Sequence, residues 1–177
     1  MRRSYFNMSL AICLILLAVS LRILPHPANF APLAAVSIFG GAVLPRRLAL
    51  WVPLAAMVLS DAVIGFHSLI GLTWGSYVLI ALASSYLLRK PSFLKGGVLT
   101  LSSSLFFFVV TNFGVWVASG MYSHTWSGLV QCYTLALPFF RNTLLSDVIY
   151  TGLLFGTFSL VTKANYKHLK LLVQTNN

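Results

Sequence analysis

The sequence predicts an all-α polytopic membrane protein: six transmembrane helices with N- and C-termini cytoplasmic. Three observations carry that prediction. Hydrophobic residues make up 58% of the chain and charged residues 8%, where an ordinary soluble domain has about a quarter charged. The mean hydropathy is +0.87. The apolar residues also fall into long runs, separated by short breaks that hold most of the prolines, arginines and lysines. At ~20 residues per crossing, 177 residues suffice for one integral membrane domain, residues 1–177, with loops and tails outside it.

Helix one is expected over about 6–24, behind Arg2 and Arg3. It resembles a signal peptide, but no small-x-small cleavage site follows Ser20, so it is read as retained. The segment PHPANFAP, Pro25 to Pro32, then turns the chain. Helix two, about 31–44, is short and rich in small residues. Its pairs Ala31/Ala35 and Ser37/Gly41 let helix backbones approach closely, and internal packing is the favoured reading over a partner-binding face. Pro45-Arg46-Arg47 ends it. Helix three, about 48–66, carries Asp61, and His67 to Leu72 form a turn. Helix four, about 73–88, stops at Arg89-Lys90-Pro91, and helix five covers about 97–118. Gly128 to Pro138 is apolar but too short to span, and reads as re-entrant or interfacial. Helix six covers about 140–162, and residues 163–177 form a basic cytoplasmic tail.

With six crossings, Arg2, Arg3, Arg46, Arg47, Arg89, Lys90, Lys95, Lys163, Lys167 and Lys170 all fall on the inner side. Arg22 and Arg141 fall on the outer side. This is the asymmetry that orients membrane proteins, and an odd number of crossings would destroy it. The same placement answers the nucleic-acid reading that a net charge of +10 invites. The charges sit in small clusters between apolar runs rather than in one patch, so no nucleic acid is expected as a partner and the lipid bilayer is.

Polar and ionisable groups inside apolar segments are expensive and mark a site by default. The stretch from Ser102 to Tyr150 is richest in them. Asn112, Trp116 and Ser119 share one helical face, an aromatic connector follows, and Arg141, Asn142 and Asp147 open the next apolar run. The first choices for solute contacts are Asn112, Trp116, Asn142 and Asp147. Tyr122, Trp126 and Tyr133 would stack on or cover the solute, while Arg22, Asp61 and Arg141 would set charge or hold the pocket's shape. Against this stand two plainer readings. The two acids, Asp61 and Asp147, and the two outer arginines can pair structurally, Arg22 with one Asp or the other. Tryptophans such as Trp51, Trp74 and Trp126 serve as interface anchors. Cys13 and Cys132 form no framework or metal-type pair. His26, His67, His124 and Cys132 lack ligand spacing, so no metal and no cofactor is assigned.

Several blocks carry a resemblance. These are R-I-L-P-H-P-A-N-F-A-P-L-A-A-V-S-I-F-G-G-A, L-S-D-A-V-I-G-F-H, T-N-F-G-V-W and C-Y-T-L-A-L-P-F-F-R-N-T-L-L-S-D, spanning roughly Arg22 to Phe155. The chain resembles a bacterial domain-of-unknown-function family whose members are described as transport proteins. That family is similar in turn to the substrate-binding S components of energy-coupling-factor transporters. The resemblance implies a six-helix protein of the bacterial inner membrane that takes up a small solute, a vitamin or its precursor, from an outward-facing pocket. It also implies an energy-coupling transmembrane subunit with ATPases as partner, with the small-residue face of helix two as a docking surface. The S-component docking signature, an alanine pair four apart on the first helix, is missing here. The chain has no phosphate-binding G-x-x-x-x-G-K-[ST] of its own. Two alternatives remain: an intramembrane aspartyl protease using Asp61 and Asp147, although neither lies in a G-x-G-D context, and a structural membrane subunit with no solute.

Overall fold

Apolar runs of this length bury their backbone polar groups best as helices, because lipid offers no hydrogen bonds. The computed structural model describes the backbone of residues 2–88 and 93–175 and the side chains of residues 4–88 and 93–164. Six helices follow one another: α1 (Arg2–Ile23), α2 (Leu33–Val43), α3 (Arg46–Ile64), α4 (Ile70–Leu87), α5 (Phe93–Ala118) and α6 (Trp126–Thr175). Five of them are long and apolar enough to cross a membrane. Large apolar side chains such as Leu16, Trp51, Leu79, Leu101 and Leu153 lie exposed around the bundle. Water would penalise such a surface and lipid accepts it. The chain is a multi-pass membrane protein.

Side-chain contacts fix the direction of each helix. Arg22, at the end of α1, meets Asp61 near the end of α3, and Trp74 from the start of α4 meets the same carboxylate. Arg46, at the start of α3, lies 4.0 Å over the ring of Tyr86 near the end of α4. The Cys132 thiol, early in α6, faces the Asn112 carbonyl late in α5, while Phe155 farther along α6 borders Gly96 at the start of α5. Successive helices therefore alternate in direction. Arg22, Asp61 and Trp74 sit at one end of the bundle and Arg46, Arg47 and Lys95 at the other, which the positive-inside rule assigns to the cytoplasm. Arg89 and Lys90 lie outside the described residues, as do the side chains of Arg2, Arg3, Lys167 and Lys170.

The core forms around α2, which packs on every other helix. Residues Leu33 to Gly41 are all buried. At 1.5 Å per residue its 11 residues cover about half of a ~30 Å hydrocarbon core. The segment 24–32 precedes α2 as an irregular loop, exposed over residues 24–29 and buried only at Pro32. Gly41 lets the α2 and α4 backbones approach closely, and the Ser84 hydroxyl of α4 donates to the Ile38 carbonyl. Phe39 meets Phe155 and Phe158 edge-on, at 5.3 and 5.7 Å between ring centroids. The small-residue face of α2, with Ala35, Ser37 and Gly41, is thus buried inside the bundle, Gly41 against α4. It offers no docking surface, contrary to what the S-component resemblance implies.

The largest departure from the sequence reading is α6. The stretch from Gly128 to Pro138 is not re-entrant but forms the first turns of one continuous helix that passes through Pro138. A proline removes one backbone bond and bends a helix without ending it when its surroundings hold both halves. The described apolar part of α6 runs 39 residues, about 58 Å at helical rise, so it extends beyond the hydrocarbon layer. The helix also runs on to Thr175, over most of the stretch expected as a tail, and in the other helices the boundaries shift by at most four residues from those expected, most at the starts of α1 and α5.

Candidate functional site

The outer end is built on a carboxylate that cannot stand alone. Asp61 is 1% exposed, and an ionised carboxylate at such a position needs a cation or several donors. Arg22 Nη1 donates to Asp61 Oδ1 and to Ser60 Oγ, and Trp74 Nε1 donates to Asp61 Oδ2 at 2.7 Å. Ser60 in turn donates to the Ala56 carbonyl at 2.6 Å. Three helices are stapled here by one acid. Trp74, expected as an interface anchor, is thus also part of the Asp61 shell. Trp51 and Trp126 do face outward, 63% and 78% exposed.

In front of this cluster opens a cavity of about 560 Å³, within the range of small-molecule sites. Arg22, His26, Asn29, His67, Thr73 and Tyr77 give it polar walls, and Met57, Leu33 and Phe107 apolar ones. A second hollow of about 200 Å³ shares Asn29, Thr73, Phe107 and Thr143 with it and reaches Asn112. Tyr77 is stacked on Phe107 with ring centroids 4.8 Å apart. It is 8% exposed, yet its hydroxyl has no protein partner among the described residues. No buried side-chain nitrogen or oxygen among those residues lacks a partner, so this hydroxyl opens onto the cavity. By the same reasoning Nε and Nη2 of Arg22 are free to meet a guest.

One wall of the cavity is the loop between α1 and α2, and α6 holds it in place. Asn142 Nδ2 donates to the Ala28 carbonyl at 3.0 Å, and Ser146 Oγ donates to the Ala31 carbonyl at 2.9 Å. The His26 ring sits between the carbonyls of Pro27 and Arg22, at 2.8 and 3.0 Å. Asn29 takes a positive φ of 62°, a conformation asparagine tolerates better than most residues. The pair Asn142→Ala with Ser146→Ala is expected to cost about 2 kcal/mol of stability, ~1 kcal/mol per bond. Amide hydrogen exchange should rise selectively over residues 26–32; unchanged exchange there would show the loop is held by other means.

The remaining predicted site residues are scattered. The Asn112 amide donates to the Phe108 carbonyl of its own helix at 2.8 Å. The Trp116 indole donates to the Ser123 carbonyl at 3.0 Å, and its ring lies 5.4 Å from that of His124. Asp147 is buried and accepts from Ser104 Oγ at 2.7 Å, in a polar seam between α5 and α6 that also joins Thr100 to Thr151. These three first choices therefore do not converge; of them only Asn112 borders a cavity. The Tyr133 hydroxyl donates to the Val109 carbonyl at 2.7 Å, tying α6 to α5. Tyr122 is half-buried in the α5–α6 connector, and Trp126 stands exposed at the start of α6. Arg141 is exposed, and the ion pair found among the described residues is Arg22 with Asp61. Of the sulfur and imidazole groups considered for a metal, His26 and His67 share the cavity. His124 and Cys132 lie with Trp116 and Asn112, and no three potential ligands are grouped among the described residues.

The sequence reading did not single out Tyr77, Thr73 or Ser60. Two signals for them were available. Ser60 adjoins Asp61, and Trp74 and Tyr77 are three apart, on one face of α4.

No curated protein and no solved structure matches the chain. One family model does match, over residues 3–169, a span that contains the Asp61 cluster, both hollows and the loop that walls them. The chain belongs to that family, DUF6580, a family of unknown function.

Proposed function

We propose that the chain binds a small solute at the outer end of its bundle and serves its uptake across the bacterial cytoplasmic membrane, in the manner of an S component. The observation that carries this reading is the cavity of about 560 Å³ with mixed polar and apolar walls, at the end opposite Arg46, Arg47 and Lys95. A structural subunit would fill that space with its own side chains. Binding is favoured over peptide cleavage because the two acids are committed separately. Asp61 goes to Arg22 and Trp74 and Asp147 to Ser104, on helices α3 and α6 that make no packing contact among the described residues. An energy-coupling subunit with ATPases remains the proposed source of drive, docking on a face other than the small-residue face of α2.

The test is thermal unfolding of the full chain in detergent against a set of vitamins and their precursors. A ligand that binds the folded state alone raises stability by RT ln(1 + [L]/Kd), so one at a hundredfold excess over its Kd should raise the midpoint by several degrees. Thr73→Trp, which fills the point where the two hollows meet, should abolish the rise. No saturable shift with any solute, or equal binding by Thr73→Trp, would count against the proposal.

A further inference from the structure

The cavity floor is the start of a helix with nothing capping it. Pro32 precedes α2 and provides no side-chain cap. The first bond of the helix runs from the Val36 N–H to the Pro32 carbonyl at 2.8 Å, so the N–H groups of Leu33, Ala34 and Ala35 have no backbone partner. Such a terminus carries roughly half a positive charge, undiluted where protein and lipid surround it. Because α2 runs inward, its N–H groups point outward, toward the cavity that Leu33 and Ala31 line.

Three further features at that floor have the same polarity. Arg22 spends only Nη1 on Asp61 and Ser60, leaving donors of the guanidinium on the cavity side. The Tyr77 hydroxyl, on a side chain more than nine-tenths buried, is unpartnered among the described residues and shares the cavity lining with Arg22. No acidic residue lines the cavity; the Asp61 carboxylate is behind Arg22 and covered by Trp74. The wall thus presents hydrogen-bond donors and the Arg22 guanidinium, with the Asp61 carboxylate already occupied by Arg22 and Trp74.

We infer that the outer cavity recognises the anionic group of its solute, a carboxylate or phosphate, between the N-terminus of α2, Arg22 and the Tyr77 hydroxyl. The apolar body of the solute rests on Met57 and Phe107. This rests on the reading of the cavity as a solute site and specifies the chemical class. A carboxylate would take the fork of Arg22 and the free N–H groups at the helix start. Tyr77 would supply a further bond, so a neutral amide of the same shape should bind much more weakly.

The experiment uses the full chain in phosphatidylcholine nanodiscs, with benzoate, benzamide and phenyl phosphate as probes followed by ligand-observed NMR. A parallel set of nanodiscs contains phosphatidylglycerol. Benzoate or phenyl phosphate is expected to bind saturably and benzamide at least about tenfold more weakly, the size of one hydrogen bond to a charged group. Tyr77→Phe keeps the stacking on Phe107 and should weaken the anion about tenfold while leaving benzamide unchanged. Arg22→Lys, which keeps a cation beside Asp61, should do the same by losing the fork. Equal binding of benzamide and benzoate would overturn the inference, as would anion binding that both variants retain. Displacement of every probe by phosphatidylglycerol, with no binding left to compete, would make the occupant a lipid headgroup and also overturn it. A neutral solute from the vitamin set that binds and is lost in Thr73→Trp would refute the anion assignment and leave the transport reading intact. Failure of both experiments removes both.

Discussion

Arg22→Ala is expected to be the most damaging single truncation at the outer end of the bundle, costing about 3–5 kcal/mol. The substitution leaves Asp61, 1% exposed, with the Trp74 indole as its remaining donor and removes the bond to Ser60. An uncompensated carboxylate in so dry a place is far worse than no charge at all. The double variant Arg22→Leu with Asp61→Leu should therefore recover most of the loss, because apolar replacement of a buried pair is often neutral or better. The measurement is the unfolding midpoint in detergent for wild type, single and double variants. If the double variant is no more stable than Arg22→Ala, the pair does not hold α1 to α3 and α4. Solute binding should be lost in both, since the guanidinium is gone in either case. Stability and binding would then separate in the double variant, which is how a group serving both is told from one serving only the fold.

What could be read ahead of the structure follows from which energies are local. The membrane class was legible because transfer of each apolar side chain into lipid is a per-residue quantity that sums along a run. Asp61 was legible for the converse reason: a charge inside such a run must find a partner. That the partner is Arg22, 39 positions away, was open between two acids, because the choice depends on how α1 and α3 rotate about their axes. The same rotation misled the reading of α5. Asn112 and Trp116 do share a face, but the amide turns back to the Phe108 carbonyl and the indole goes to the connector at Ser123. Lipid also hides helix ends. Gly128 and Pro138 look like breaks by soluble-protein habits, yet the chain stays helical through both because an interrupted ladder in hydrocarbon has no water to repair it. Tyr77 was legible only as a neighbour of Trp74 on one face of α4; its role shows once its ring is seen on Phe107 and its hydroxyl is seen unpartnered among the described residues.

Gly41→Leu should rival the loss of Arg22, and it reaches the site from the far side of the core. A Cβ at Gly41 would lie 2.5 Å from the Ala81 carbonyl oxygen and 2.6 Å from Ser84 Cβ, so even alanine forces the backbones of α2 and α4 apart. Overpacking of this kind costs about 1–3 kcal/mol, with Gly41→Leu at or beyond the upper end because backbone rather than a flexible side chain must yield. The neighbouring glycine is the control. A Cβ at Gly40 would meet Leu44 Cδ1 at 3.8 Å and Leu14 Cδ1 at 3.9 Å, ordinary contact. Gly40→Ala should therefore be neutral or stabilising by up to ~1 kcal/mol through helix propensity. Unfolding midpoints of the two alanine variants must fall on opposite sides of wild type or nearly so; the reverse order would mean that α2 is not pressed against α4 at Gly41. The consequence extends to binding. The Ser84 hydroxyl and the Ile38 carbonyl are joined across this same interface, and a shifted α2 carries its uncapped N-terminus away from Arg22 and Tyr77. Gly41→Ala should thus weaken solute binding as well as stability, from a position with no access to the cavity.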